Sequence, residues 1–284
     1  MPTAYEKVTD KIISLMDEGV APWRKPWKII FPMNLESKRE YHSTNLMLLM
    51  FSDQPTPYWL TWNQIEKRKG HVKKGQHGMP IIYWGQFNPK QENDGVDTPL
   101  SKPKGFWKYY HVWNAAQCEG IDIPQFPEPP QGDLEPMAQG IVDRWEKKPA
   151  MRNDIARACY SPAKDIVAMP ERKMFNTPED YWHTLFHELI HSTGHKSRLH
   201  RFENDANIDV PTGEKYAFEE LIAELGATMI CWTIGMNPPA VQENAAAYLT
   251  FWKGKIKSDK RLFMSAAGNA QKAADFILGE RESI

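Results

Sequence analysis

Apolar residues recur at helical spacing at Tyr5, Val8, Ile12, Leu15 and Met16, and Gly19 marks the stop of that helix. A Trp/Pro segment follows, Pro22-Trp23-Arg24-Lys25-Pro26-Trp27-Lys28, then a second apolar stretch from Asn45 to Phe51. Tyr58 to Trp62, Ile81 to Trp84 and Phe106 to Asn114 have the β-branched and aromatic character of strands. A helix-like piece ending in Lys67-Arg68-Lys69-Gly70 and a turn over Lys73 to Gly78 lie between the first two. Phe87 to Lys104 is polar and rich in Pro, Asp and Asn, and reads as a loop.

The pattern changes after Pro124. Five prolines between Pro124 and Pro136, with Gly132 and Asp133, read as a stiff polar linker. We place a domain boundary there: residues 1–125, a linker at 126–136, and residues 137–284. The second part reads as a helix (Met137 to Lys147), a strand (Asp165 to Met169) and a helix (Pro178 to Ser192). Three further helices follow near Ala217–Ile234, Pro239–Lys257 and Lys260–Leu278. The fold class expected is α+β in two domains, an α+β N-terminal domain and a mostly helical C-terminal one.

The helix from Pro178 carries His187-Glu188-Leu189-Ile190-His191, an HExxH motif. Positions i and i+4 share a helix face, so both imidazoles reach one metal ion. Thr177 suits the N-cap, Pro178 the first turn, and Glu179 and Asp180 the positive helix end. Tyr181, Trp182, Leu185, Phe186, Leu189 and Ile190 form the apolar stripe, and Gly194 ends the helix. Glu188, beside the first ligand, is the candidate general base or acid. So short a motif arises by chance often enough that context must decide.

A catalytic zinc site wants three protein ligands. The longer pattern HExxHxxGxxH fails, because position 197 is Ser197. The third ligand is sought in Tyr216 to Ala227, where Phe218, Leu221, Ile222, Leu225 and Met229 form a buried stripe. Glu220 and Glu224 share another face, one turn apart. Glu220 is the leading third ligand, with Glu219 and His195 as alternatives, and Glu224 is the acceptor for the free N–H of a ligating histidine. Ala223, Gly226 and Ala227 are small enough to let a neighbouring helix approach. Tyr216, one turn before Glu220, is a candidate oxyanion donor. The strand ending at Pro170 is a candidate sheet edge for pairing with an extended peptide.

Charge and composition add less. The chain has 284 residues, 25% of them charged, and a net charge of −1. Residues 1–125 hold 16 Lys+Arg against 13 Asp+Glu, a modest excess of +3. Seven of the 11 tryptophans lie there, interleaved with Arg24, Lys25, Lys28, Lys67, Arg68, Lys73 and Lys74. That combination holds single-stranded nucleic acid, aromatic faces on bases and cations along phosphates. Trp23, Trp27 and Trp62 are the candidate platforms. Three scattered cysteines, Cys118, Cys159 and Cys231, argue against a disulfide framework. With no secretory pattern in Met1 to Gly19 and no run near the ~18 apolar residues of a membrane span, the expectation is a cytoplasmic protein.

Several stretches, in this order, resemble the ArdC antirestriction family of conjugative plasmids and mobile elements. They are Gly19-Val20-Ala21-Pro22-Trp23 with Pro26-Trp27, Tyr41 with Asn45-Leu46, Thr61-Trp62-Asn63-Gln64, Lys73-Lys74-Gly75, and His111-Val112-Trp113-Asn114 with Gln117. The C-terminal part adds Asp165 to Pro170, HExxH, Gly194-His195 with Arg198-Leu199, and Glu219-Glu220 with Ala223-Glu224. Trp113 stands where family members often have phenylalanine, and Phe87 to Lys104 matches no family motif. The resemblance implies an N-terminal domain binding single-stranded DNA and a C-terminal zincin domain of gluzincin type, with zinc or manganese as cofactor. It implies a bacterial cytoplasmic protein that protects incoming DNA from restriction, and a metalloprotease-like fold that hydrolyses peptide bonds. It does not establish the protein substrate, for which a restriction-system component is one candidate. Two rival readings are a DNA-coating protein with a vestigial metal site, and a DNA-dependent protease that clears DNA-bound proteins.

Overall fold

The computed structural model describes residues 3–19, 21–24, 29, 31–87, 104–126, 132–202, 214–237 and 245–279. In the first part the order is α1 (Ala4–Met16), β1 (Met33–Asn34), α2 (Ser43–Met50), β2 (Tyr58–Thr61), α3 (Trp62–Lys67), β3 (His71–Val72), β4 (Met79–Phe87), β5 (Lys104–Asn114) and β6 (Cys118–Glu119). In the second part it is α4 (Leu134–Arg144), β7 (Ala150–Arg152), β8 (Cys159–Ser161), β9 (Ile166–Ala168), α5 (Pro178–Ser192), α6 (Glu214–Thr233), α7 (Ala245–Ser258) and α8 (Leu262–Leu278). The expected long elements are all present, and the class is α+β in two domains. Among the described residues no helix is long and apolar enough to cross a membrane.

The N-terminal sheet runs β1-β2-β5-β4, and its spine is the β4–β5 hairpin, paired in register from Met79↔Val112 to Phe87↔Lys104. Helix α2 is clamped to this hairpin by Asn45, whose amide donates to the Ile82 carbonyl and accepts from the Ile82 N–H, both at 2.8 Å. Helix α3 starts on a capping box in which Thr61 and Gln64 bond reciprocally. The C-terminal sheet is small, β7-β9-β8.

The sheets belong to separate parts of the chain, but the main core does not. Val8, Ile12 and Met16 of α1, Trp23, and Met47 and Leu48 of α2 lie in one buried cluster with Phe186, Leu221, Trp232, Trp252 and Phe263. Helix α1 packs on α7 and α8, and α2 on α8. The proline-rich linker predicted at 126–136 therefore separates two sheets that share a helical core; its residues 127–131 lie outside the described residues. A fragment ending at 125 would expose the apolar faces of α1 and α2.

Helix α6 packs on α5 on one side and α8 on the other, so it is buried nearly all round from Leu221 to Trp232 rather than along one stripe. The expected close approach falls at Gly226: a Cβ there would lie 2.7 Å from Ile190 Cδ1 of α5.

Candidate metal centre and nucleic-acid surface

Helix α5 is fixed at its start by a capping box. Thr177 accepts from the Asp180 N–H, and the Thr177 N–H donates to the Asp180 carboxylate, each at 3.1 Å. Its six predicted stripe residues are all buried. The stripe turns His187 and His191 to the border of the core, and their Nε2 atoms face each other at 3.1 Å. Glu220 comes from α6, with one carboxylate oxygen 3.4 Å from His187 Nε2 and the other 3.4 Å from His191 Nε2. An ion bound tetrahedrally at about 2.0–2.1 Å sets its donor atoms about 3.3–3.4 Å apart, so the N₂O spacing fits a metal. Among the described residues, these three form the one group of His, Cys, Asp and Glu so disposed.

The surrounding charges favour a dication. Burial works against ionising His191, but Glu219 and Glu220 lift its pKa to about 10. Glu220, pushed up by burial, is held far below the usual carboxylate range by its bonds to His187 and His191. Both groups thus carry charge that a metal would replace or pair.

Glu219, weighed from the sequence as an alternative ligand, sits behind the ring instead. Its Oε1 is 3.3 Å from His191 Nδ1, on the side away from the facing Nε2 atoms. Arg201 holds that carboxylate, donating to Oε1 at 2.6 Å and Oε2 at 3.2 Å, and also donates to Ile190 O at 2.9 Å and Thr193 Oγ1 at 2.6 Å. Glu224, expected to accept from a ligating histidine, lies 3.8 Å from His187 Nδ1, which is ion-pair range and beyond a hydrogen bond. His195 bonds Ser197 Oγ at 2.7 Å and stays in the loop after α5. Arg201 gave no signal in the sequence, because only the folding back of the loop over Gly194 brings it to Glu219. Arg201→Met should keep all three ligands yet weaken metal binding about 10–100-fold, as expected when a ligand loses its orienting partner. Competition with a chromogenic chelator measures this, and an unchanged affinity would remove Arg201 from the account.

A cavity of about 490 Å³ opens on the three residues, lined also by Glu188, Tyr216, Arg157, Cys159 and Phe202. Glu188 is in the cavity but outside the metal-ligating group. The Tyr216 hydroxyl is pushed up in pKa by burial and then by Glu220, so it remains a neutral donor. The expectation that the Asp165–Pro170 strand forms the edge is corrected. Strand β9 is central, parallel to β7 and antiparallel to β8, and it is β8, through Cys159 and Tyr160, that borders the cavity. Cys159-Tyr160-Ser161 lacks the β-branched pair that makes Ile166-Val167 readable as a strand of the same length.

Of the proposed DNA contacts, Trp23 is corrected. It is 0% exposed, donates through Nε1 to Tyr248 Oη at 3.0 Å, and packs against Trp252 and Phe263, so its faces are filled by core. Lys25, Trp27 and Lys28 lie outside the described residues, as does the side chain of Arg24. Trp62 is 48% exposed and meets Trp113 edge-on at 5.6 Å. Trp113 continues to His111 at 6.3 Å and His111 to Tyr109 at 6.0 Å, the alternate residues of β5. The result is a strip of four rings. Lys7 lies 5.9 Å over the Tyr109 ring at one end, and Lys67, Arg68, Lys73 and Lys74 are exposed on and after α3 at the other. Lys67 pairs with Glu36 at 2.7 Å, and Lys73 donates to Ala116 O at 2.8 Å. Tyr109, His111 and Trp113 are legible as a set only once β5 is known to be a strand; His111 is exposed there and the other two rings are half-buried.

Residues 2–113 match the family described as the N-terminal domain of anti-restriction factor ArdC, and residues 142–269 match zincin-like metallopeptidases. Two crystal structures of the antirestriction ArdC protein from plasmid R388, metal-free and Mn(II)-bound, are each 33% identical and cover 96% of both chains, with TM-scores of 0.73 and 0.75. A DNA primase TraC of Escherichia coli is 30% identical over 302 residues, covering 96% of this chain and 27% of the primase. The uncharacterized protein y4eC of Sinorhizobium fredii is 28% identical over 291 residues, 96% of this chain and 91% of that one. The chain thus spans about a quarter of the primase it matches. With an ArdC N-terminal domain, a zincin-like metallopeptidase domain and full-length likeness to an ArdC protein, the chain belongs to the ArdC antirestriction family.

Proposed function

We propose that the protein binds single-stranded DNA on the Trp62–Tyr109 strip and hydrolyses peptide bonds at a metal held by His187, His191 and Glu220, protecting incoming mobile-element DNA from restriction in the bacterial cytoplasm. The observation that carries the enzymatic half is the N₂O triad with the carboxylate of Glu188 in the same cavity. A bound zinc or manganese ion acidifies water and polarises a carbonyl. Glu188 then accepts a proton from the attacking water and passes it to the leaving amine. Tyr216 donates to the developing oxyanion, and Glu219 holds the His191 imidazole, while Glu224 stands in ion-pair range of His187. An extended peptide, from a restriction-system protein, adds antiparallel to β8 along the cavity. Residues 1–125 and 137–284 divide these tasks. The match of the whole chain to part of a DNA primase supports DNA as the first partner.

The DNA half is tested with Trp62→Ala in the full chain. Loss of one stacking platform removes about 1–3 kcal/mol, so single-strand affinity by fluorescence anisotropy should fall roughly 5–150-fold while duplex affinity barely moves. Equal single-strand affinity in the variant would take the strip out of the reading.

A further inference from the structure

A second concavity lies between the first turn of α6, the last turn of α7 and the first turn of α8, with a volume of about 390 Å³. Lys215, Lys255 and Arg261 line it against one acid, Asp259, and Phe218 and Leu262 supply apolar wall. Asp259 is already engaged, accepting from the Arg261 N–H at 2.8 Å. Arg261 is the N-cap of α8, and its guanidinium, a donor without an acceptor, cannot bond the first N–H groups of that helix. Three cationic side chains line one groove whose wall is partly aromatic, the Lys255 ammonium lying also 5.7 Å over the Phe251 ring, and this lining suits an anion attached to something flat and apolar.

We propose that this groove is a second nucleic-acid subsite, binding a phosphodiester of single-stranded DNA and seating its base against Phe218. The proposal rests on the reading that the chain binds single strands. An acidic peptide would satisfy the cations, but two contacts favour DNA. The Arg261 guanidinium lies 5.4 Å over the ring of Tyr5 on α1. Two residues along α1, Lys7 lies over Tyr109, the last ring of the strip. Residues two apart on a helix face opposite sides, so the groove and the strip lie on opposite sides of the start of α1, and a strand reaching both crosses that helix end. The groove also adjoins the metal cavity: Lys215, Ala217 and Phe218 line the groove, while Tyr216, Glu219 and Glu220 on the same turns of α6 line the metal cavity. A strand held here runs beside the cleft, which brings proteins bound to that strand within its reach.

The test is the full-length chain carrying Lys255→Glu and Arg261→Glu, titrated with fluorescein-labelled oligothymidylate across a range of KCl. Each phosphate neutralised on a single strand contributes about −0.7 to the slope of log K against log[salt]. Losing two contacts should flatten that slope by about 1.4 and lower affinity at low salt by roughly tenfold or more. An unchanged slope and affinity overturns the proposal. If the charge-reversed chain loses its melting transition, the neutral pair Lys255→Gln and Arg261→Gln is read instead, with the same flattening expected. Wild type with no single-strand affinity would sink the underlying reading; wild type that binds, with Trp62→Ala weakened and the groove variant unaffected, sinks only the groove. Polyglutamate binding that the groove variant abolishes, with the oligothymidylate slope intact, would assign the groove to acidic peptides and overturn the nucleic-acid assignment.

Discussion

Glu188→Gln is expected to abolish peptide hydrolysis while leaving metal content, melting temperature and single-strand affinity at wild-type values. The substitution keeps the shape of the side chain and removes its basicity. Glu188 lines the metal cavity but lies outside the ligand triad, so the donor set survives the change. Proton transfer by a positioned carboxylate contributes about 10²–10⁴-fold, and a loss of that size in kcat is readable on any cleaved protein substrate. Wild-type turnover in the variant would remove Glu188 from the mechanism. A variant that loses turnover but still protects DNA from restriction in cells would show that coating the strand is enough.

The second large effect concerns stability. The Arg198 side chain is nearly buried and joins three segments: it donates to Ser192 O at 2.7 Å at the end of α5, to Lys147 O at 3.2 Å, and to the Asp165 carboxylate in the β8–β9 turn. Tyr160 donates to the same carboxylate at 2.9 Å. Asp165 holds a positive φ of 50°, a left-handed backbone that aspartate tolerates better than most residues. Arg198→Met removes the cation and leaves carbonyls and a carboxylate short of donors. Asp165 is about a third exposed, so the cost is discounted from that of a fully buried pair to about 2–3 kcal/mol. The melting temperature should fall by roughly 5–10 °C. Burial pushes the Asp165 pKa up, but Arg198 and Tyr160 bring it below the ordinary value. A depressed carboxylate stabilises the fold above its unfolded pKa and loses that contribution as pH falls through the folded one. The gap between wild type and Arg198→Met should therefore narrow in acid. A gap that persists at low pH would mean the arginine acts through its carbonyl bonds alone.

What the sequence reveals and what it hides divide along physical lines. Helix α5 is readable to the residue because cap, proline, acidic first turn and apolar stripe all agree on one helix, and the i, i+4 histidines follow from its geometry. The place of Glu220 beside the histidines is readable because α6 turns its acids, Glu219, Glu220 and Glu224, toward α5. Trp23 is misread because composition cannot separate a ring packed by Trp252 and Phe263 from one open to a base. Strand β8 is hidden because Cys159-Tyr160-Ser161 carries no β-branched residue, and Arg201 reaches Glu219 only through a loop closure that no local pattern encodes. The shared core is hidden for a similar reason. The apolar stripe of α1 announces burial without naming α7 and α8 as what covers it.

Metal content of the purified chain tests whether His187, His191 and Glu220 bind one metal ion. Inductively coupled plasma mass spectrometry should find a stoichiometric divalent metal in the wild type and in Glu188→Gln. Glu220→Ala should lose most of it, since two imidazoles alone leave the donor set one ligand short of a zincin site. Full occupancy in Glu220→Ala would contradict the assignment and move the third ligand elsewhere.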